Sequence, residues 1–150
     1  KAIKHASRNG HTEIVKLLLA DSRVYAGDEC NAAIRNAATN GHIEIVKLLL
    51  DRPDVDPSDL KNNAILGASE HGHLEIAKLL LADKRVDPSD DDNYALEVAI
   101  ENEQNDIVYL LLSDERVRNK LKQEDQNIPV VNTALRLIKL NTIRNRILKN

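Results

Sequence analysis

A block of ten residues returns at a fixed step along the chain. Gly10-His11-Thr12-Glu13-Ile14-Val15-Lys16-Leu17-Leu18-Leu19 recurs as Gly41-His42-Ile43-Glu44-Ile45-Val46-Lys47-Leu48-Leu49-Leu50. It recurs again as Gly72-His73-Leu74-Glu75-Ile76-Ala77-Lys78-Leu79-Leu80-Leu81, and more faintly from Glu103 to Leu112. The copies start at 10, 41, 72 and 103, each 31 residues after the last. A period of this size marks a stacked array: one short unit cannot bury its apolar face alone, so neighbours bury each other's.

Each unit reads as two helices. The first is short and rich in small residues, as in Ala64-Ile65-Leu66-Gly67-Ala68-Ser69, which lets neighbouring helices approach closely. Asn31, Asn62 and Asn93 stand just ahead of it, where a side-chain oxygen is expected to cap free N–H groups. Gly10, Gly41 and Gly72 follow it and suit a left-handed turn residue. The second helix places Ile45, Leu48 and Leu49 on one face. Pro- and Asp-rich connectors, such as residues 51–59 and 82–90, then end the unit. With 42% apolar residues but no Phe, Trp or Met, the core must be Leu, Ile, Val and Ala, a palette for thin repetitive layers. The expected fold is all-α, a solenoid of stacked helix-turn-helix repeats.

Near the end, Val131, Ala134, Leu135 and Ile138 share one helical face while Leu140, Ile143 and Ile147 lie almost opposite. Aligning Asn132-Thr133-Ala134-Leu135 with Asn93-Tyr94-Ala95-Leu96 resolves the conflict, at an offset of 39 instead of 31. The expected units are about 1–30, 31–61, 62–92 and 93–123, and, following a connector eight residues longer than the others, a degenerate fifth unit at about 132–150. The chain opens on Lys1 rather than Met, and both ends read as cut from a longer array.

Charge is polarised. Residues 1–115 carry 12 Lys/Arg against 22 Asp/Glu, a net of −10, and residues 116–150 carry 9 against 2, a net of +7. The basic end has no aromatic stacking platform between 132 and 150, and the acidic body repels phosphate, so nucleic acid is disfavoured as a partner. Screening of the acidic fourth unit by the basic fifth explains the asymmetry better. No run of eighteen apolar residues offers a membrane span, and no leader pattern opens the chain.

His11, His42 and His73 fall one per layer, and layers about 8–10 Å apart cannot bring them to one zinc ion at about 2 Å. A backbone-bonding role at the inter-helix turn is expected instead. His71 and His73 lack a convincing third ligand. The acidic run from Asp87 to Asp92 has Asp92 and Val98 where a calcium loop needs glycine and glutamate. The one cysteine, Cys30, excludes an internal disulfide and a cysteine zinc site. Neither a phosphate-cradling glycine loop nor a nucleophile constellation occurs. The expectation is no catalytic residue, no metal and no cofactor.

The G-H-x-E-I-V-x-L-L-L helix, present in three intact copies, resembles that of ankyrin repeats, strongly over 1–112 and weakly over 132–150. The family's T-P-L-H-x-A opening survives only as Ala33-Ile34-Arg35-Asn36-Ala37 and its equivalents. The repeat is about two residues shorter than the family's, which puts the family's β-hairpin fingers in question. The D-x-R-V-D-P-S connector and N-x-A opening are similar to repeats of giant DNA viruses and amoebae. The resemblance implies a non-enzymatic module binding a protein partner on a concave face, in a cytoplasmic or nuclear setting, monomeric as an isolated segment. Its contact positions map to the late first helix (Arg8, Asn9, Thr39, Asn40, Glu70, His71, Glu101, Asn102). They also map to the tips at Glu29, Leu60 and Asp91, with Asn31, Asn62 and Asn93 beside them. Alternatives are a substrate-recruiting arm of a ubiquitin-ligase adaptor, or a spacer in a longer array.

Overall fold

The computed structural model describes residues 1–123, with 132–133 and 136–137 beyond them. The described residues form nine helices and no strand: α1 (Ala2–Arg8), α2 (Thr12–Ala20), α3 (Asp28–Thr39), α4 (Ile43–Leu50), α5 (Asp59–Glu70), α6 (Leu74–Ala82), α7 (Asp90–Glu101), α8 (Asn105–Ser113) and α9 (Glu115–Gln123). The first helices α1, α3, α5 and α7 pack side by side, and α2, α4, α6 and α8 form a second row behind them. Ile34, Ile65 and Leu96 fill the front row; Ile45, Leu49, Leu80 and Leu111 fill the back. One connector valine per layer (Val55, Val86, Val117) completes the core. Most of the expected fifth unit lies outside the described residues, although Leu137 packs against the core.

The inter-helix turns explain the repeated Gly-His pair. Gly41 has φ +77°, and the His42 N–H bonds Ala37 O at 2.9 Å, closing the first helix of its unit. The imidazoles bond backbone as expected, but that of the preceding layer: His42 Nε2 donates to Arg8 O at 3.0 Å, and His73 Nε2 to Thr39 O at 3.1 Å. Each ring closes on the glycine one layer back, where a Cβ would lie 2.7 Å from its Cε1.

Two expectations fail. The asparagines do not cap: the side-chain oxygens of Asn31 and Asn62 accept from the Asp56 and Asp87 N–H groups of the next layer rather than from their own helix. Instead Glu29–Asn31, Leu60–Asn62 and Asp91–Asn93 each form a run of three left-handed residues, φ +50° to +62°. Such backbone costs about 1–2 kcal/mol per L-residue, least for Asn and Asp. The buried Asn62 amide braces the run against the next layer, its Nδ2 donating to Asp90 Oδ2 at 2.9 Å and its Oδ1 accepting from the Asp87 N–H at 2.9 Å. Asn31 does the same with Asp59 at 2.9 Å and Asp56 at 2.7 Å. The second failure is the connector after α8, whose residues Glu115–Gln123 coil into α9 and bury Val117 and Leu121.

The connectors also carry a sign reversal between layers. Asp21–Arg23, Asp83–Arg85 and Asp114–Arg116 are ion pairs at 2.6, 2.6 and 2.8 Å. The second layer inverts the order, pairing Arg52 with Asp54 at 2.9 Å. The layer below accounts for it. Arg85 and Arg116 donate to Val55 O and Val86 O, two residues before Pro57 and Pro88, which have no N–H. At the proline position of the first connector stands buried Ala26, whose N–H donates to Asp54 Oδ2 at 2.7 Å. Burial pushes the Asp54 carboxyl up, but that N–H and the Arg52 guanidinium outweigh it and hold it below its ordinary value. Asp83 and Asp114 are lowered by Arg85 and Arg116. These contributions are complete above the unfolded carboxylate pKa and are lost as pH falls through the depressed folded values. Asp54→Arg should cost about 2 kcal/mol by stranding the Ala26 N–H. Adding Arg52→Asp should restore the ion pair, and adding Ala26→Pro as well should recover most of the rest in urea melts.

Candidate functional site

The first helices and the tips that lead into them form one continuous face. Arg8, Asn9, Glu29, Asn40, Leu60, Glu70, His71, Asp91, Glu101 and Asn102 are exposed on it, and Thr39 is half-buried. Thr39 is partly covered because Gly67 of the next layer approaches it: a Cβ on Gly67 would lie 2.2 Å from Thr39 Oγ1. Asn31, Asn62 and Asn93 are buried and leave this surface. Asn40 and Asn102 each turn an amide back onto their own helix, bonding Asn36 O and Val98 O at 2.8 Å. His71 does likewise through Nδ1 to Gly67 O at 3.0 Å, and its ring stacks on His73 with centroids 6.2 Å apart.

Two of the tips are tied across layers. Lys61 pairs with Asp91 at 2.6 Å, and Lys4 with Glu29. The Asp91 partner raises the Lys61 pKa, and Lys4 lowers that of Glu29. Arg35 braces the Glu29 tip as well, donating from Nε to Cys30 O at 2.9 Å. Between the Leu60 and Asp91 tips a cavity of about 120 Å³ is lined by Leu60, Leu66 and Tyr94, together with Lys61 and Asp91. Leu60 is 50% exposed and Tyr94 42%.

The mid-helix residues Lys4, Arg35, Leu66 and Glu97 occupy one register position, and sequence reasoning missed them. They differ from copy to copy just as the tips do, so the same criterion, applied one turn earlier in the helix, finds them. The sign of charge changes along this row. α1 holds Lys4 and Arg8 with no acid, whereas α7 holds Asp90, Asp91, Asp92, Glu97 and Glu101 with no base.

Among the described residues no three His, Cys, Asp or Glu converge as a metal site. Nor is any of their helices long and apolar enough to cross a membrane. A search of curated proteins finds no match. The family description "Ankyrin repeats (3 copies)" matches residues 1–60 and 34–124, most of the chain. Members of that family are generally protein–protein interaction modules and typically not enzymes. With the stacked helix pairs, their glycine turns and the matched span, the chain belongs to the ankyrin-repeat family.

Proposed function

We propose that this chain binds a protein partner on its first-helix face, the concave side in the family. Its contact residues are Arg8, Asn9, Glu29, Thr39, Asn40, Leu60, Glu70, His71, Asp91, Glu101 and Asn102. The observation that carries this reading is a division of labour between positions. Buried positions repeat across layers, as at Ile45, Ile76 and Ile107, while exposed ones on this face differ, as at Glu29, Leu60 and Asp91. A frame locked by inter-layer bonds holds those side chains in place before binding, which limits the entropy lost on association. An interface of ordinary size needs about 800 Å² on this side, within reach of units at about 1–30, 31–61, 62–92 and 93–123.

Affinity capture with mass spectrometry would identify the partner. Glu70→Lys with Glu101→Lys should then weaken its binding about tenfold or more while the melting temperature stays within about 2 °C, since both residues are exposed. Unfolding of that variant would remove the site assignment.

A further inference from the structure

The first-helix face is not uniform, and its asymmetry describes an occupant. Several charges on it already have partners: Lys61 with Asp91, Lys120 with Asp92 at 2.8 Å, and Lys4 with Glu29. Among the described residues Arg8, Glu97 and Glu101 make no ion pair, and Glu70 meets only His71, at 3.9 Å. The acidic members of this set lie close to the cavity. Glu97 is one turn on from Tyr94 and Glu101 one turn further, while Glu70 is one turn on from Leu66. Arg8 lies in the first unit, at the other end of the row. Layers about 8–10 Å apart put it about 20–25 Å from the cavity, which is about seven residues of extended chain.

We propose that this face recognises an extended protein segment with an apolar side chain seated between Leu60, Leu66 and Tyr94. Basic residues of the segment stand directly beside that anchor, and acidic ones lie about seven residues away. The inference rests on the first-helix face being the binding face and adds the chemistry and register of what it binds. Lysine or arginine next to the anchor meets Glu70, Glu97 and Glu101, and the distant acid meets Arg8. The opposite arrangement would set carboxylates against three carboxylates, a like-charge juxtaposition that discriminates strongly between partners. Reversing the direction of the segment does not evade this rule, because the distance of each charge from the anchor is unchanged.

Two synthetic peptides of about twelve residues, identical in composition, test it. One places lysines beside a leucine near one end and glutamates about seven residues off; the other exchanges the lysines and glutamates. Fluorescence anisotropy with the whole chain should show the first binding about tenfold more tightly, since three modest exposed interactions reverse together. Tyr94→Ala should weaken it by a similar factor with an unchanged circular-dichroism spectrum. Glu97→Lys/Glu101→Lys combined with Arg8→Glu should invert the preference between the peptides. Equal binding of both, or of neither, would overturn the proposed register. Lys47→Glu/Lys78→Glu, on the second helices, is the control that separates the two levels of the argument. If binding needs the first-helix residues but ignores the charge order, only the register fails. If it follows the second-helix variant instead, the binding-face reading fails with it.

Discussion

Asn62→Ala should lower unfolding free energy by about 3 kcal/mol, a large share of the roughly 5–15 kcal/mol that holds a domain together. The side chain is nearly fully buried and makes two bonds to the next layer, one of them to the Asp90 carboxylate. Removing it leaves the Asp87 N–H without its acceptor, at about 1–3 kcal/mol, and forfeits a charge-assisted bond of similar size. Alanine also tolerates φ +58° less well than asparagine. Asn62→Gly isolates that last effect: it loses the same bonds but suits the left-handed backbone, so it should cost about 1 kcal/mol less. A cycle with Asp90→Ala then measures the inter-layer bond directly, and the double variant should cost clearly less than the two singles together. Additive costs in urea unfolding would show that the asparagine acts only within its own turn. Unfolding here should also separate the layers, since an array is stable only through its neighbour interfaces.

The sequence is read wrongly at these asparagines for a physical reason. Asn favours helix N-caps and also tolerates left-handed backbone, so its position ahead of a helix fits both. What decides is the pairing with Asp56 and Asp59 or Asp87 and Asp90, 25 to 28 residues away, which no local pattern reveals. The helix α9 is hidden differently. Only Val117 and Leu121 carry its apolar signal, four residues apart among charged and amide neighbours, and burial against α7 and α8 supplies what propensity does not. By contrast the helix pairs, the glycine turns and the imidazole–backbone bonds follow from the 31-residue period, because each repeats the same local solution. The exposed positions of the first-helix face were legible at the tips and helix ends. Its cavity was not, since Leu60, Leu66 and Tyr94 come from two layers and meet only when these stack.

That same stacking sets the outcome at Gly41. Gly41→Ala should destabilise by about 3 kcal/mol, of which the left-handed backbone at φ +77° explains only about 1–2. The remainder comes from the layer above. A Cβ on Gly41 would lie 2.7 Å from His73 Cε1, so the ring must move and lose its bond to Thr39 O. His73→Ala alone should cost about 1–2 kcal/mol, the ordinary loss for a half-buried bonded group. In the Gly41→Ala background it should cost almost nothing, because the alanine has already displaced the ring. Glu103 supplies the opposite test. It stands at the same register position with φ +57°, exposed, so Glu103→Gly should stabilise by up to about 1 kcal/mol. Thermal and urea melts of the four variants would decide between two origins of the repeated glycine. A Gly41→Ala cost of about 1 kcal/mol that adds to that of His73→Ala means the residue serves its φ alone. A larger, non-additive cost means that the Gly-His pair is a contact between layers, written into the sequence one period apart.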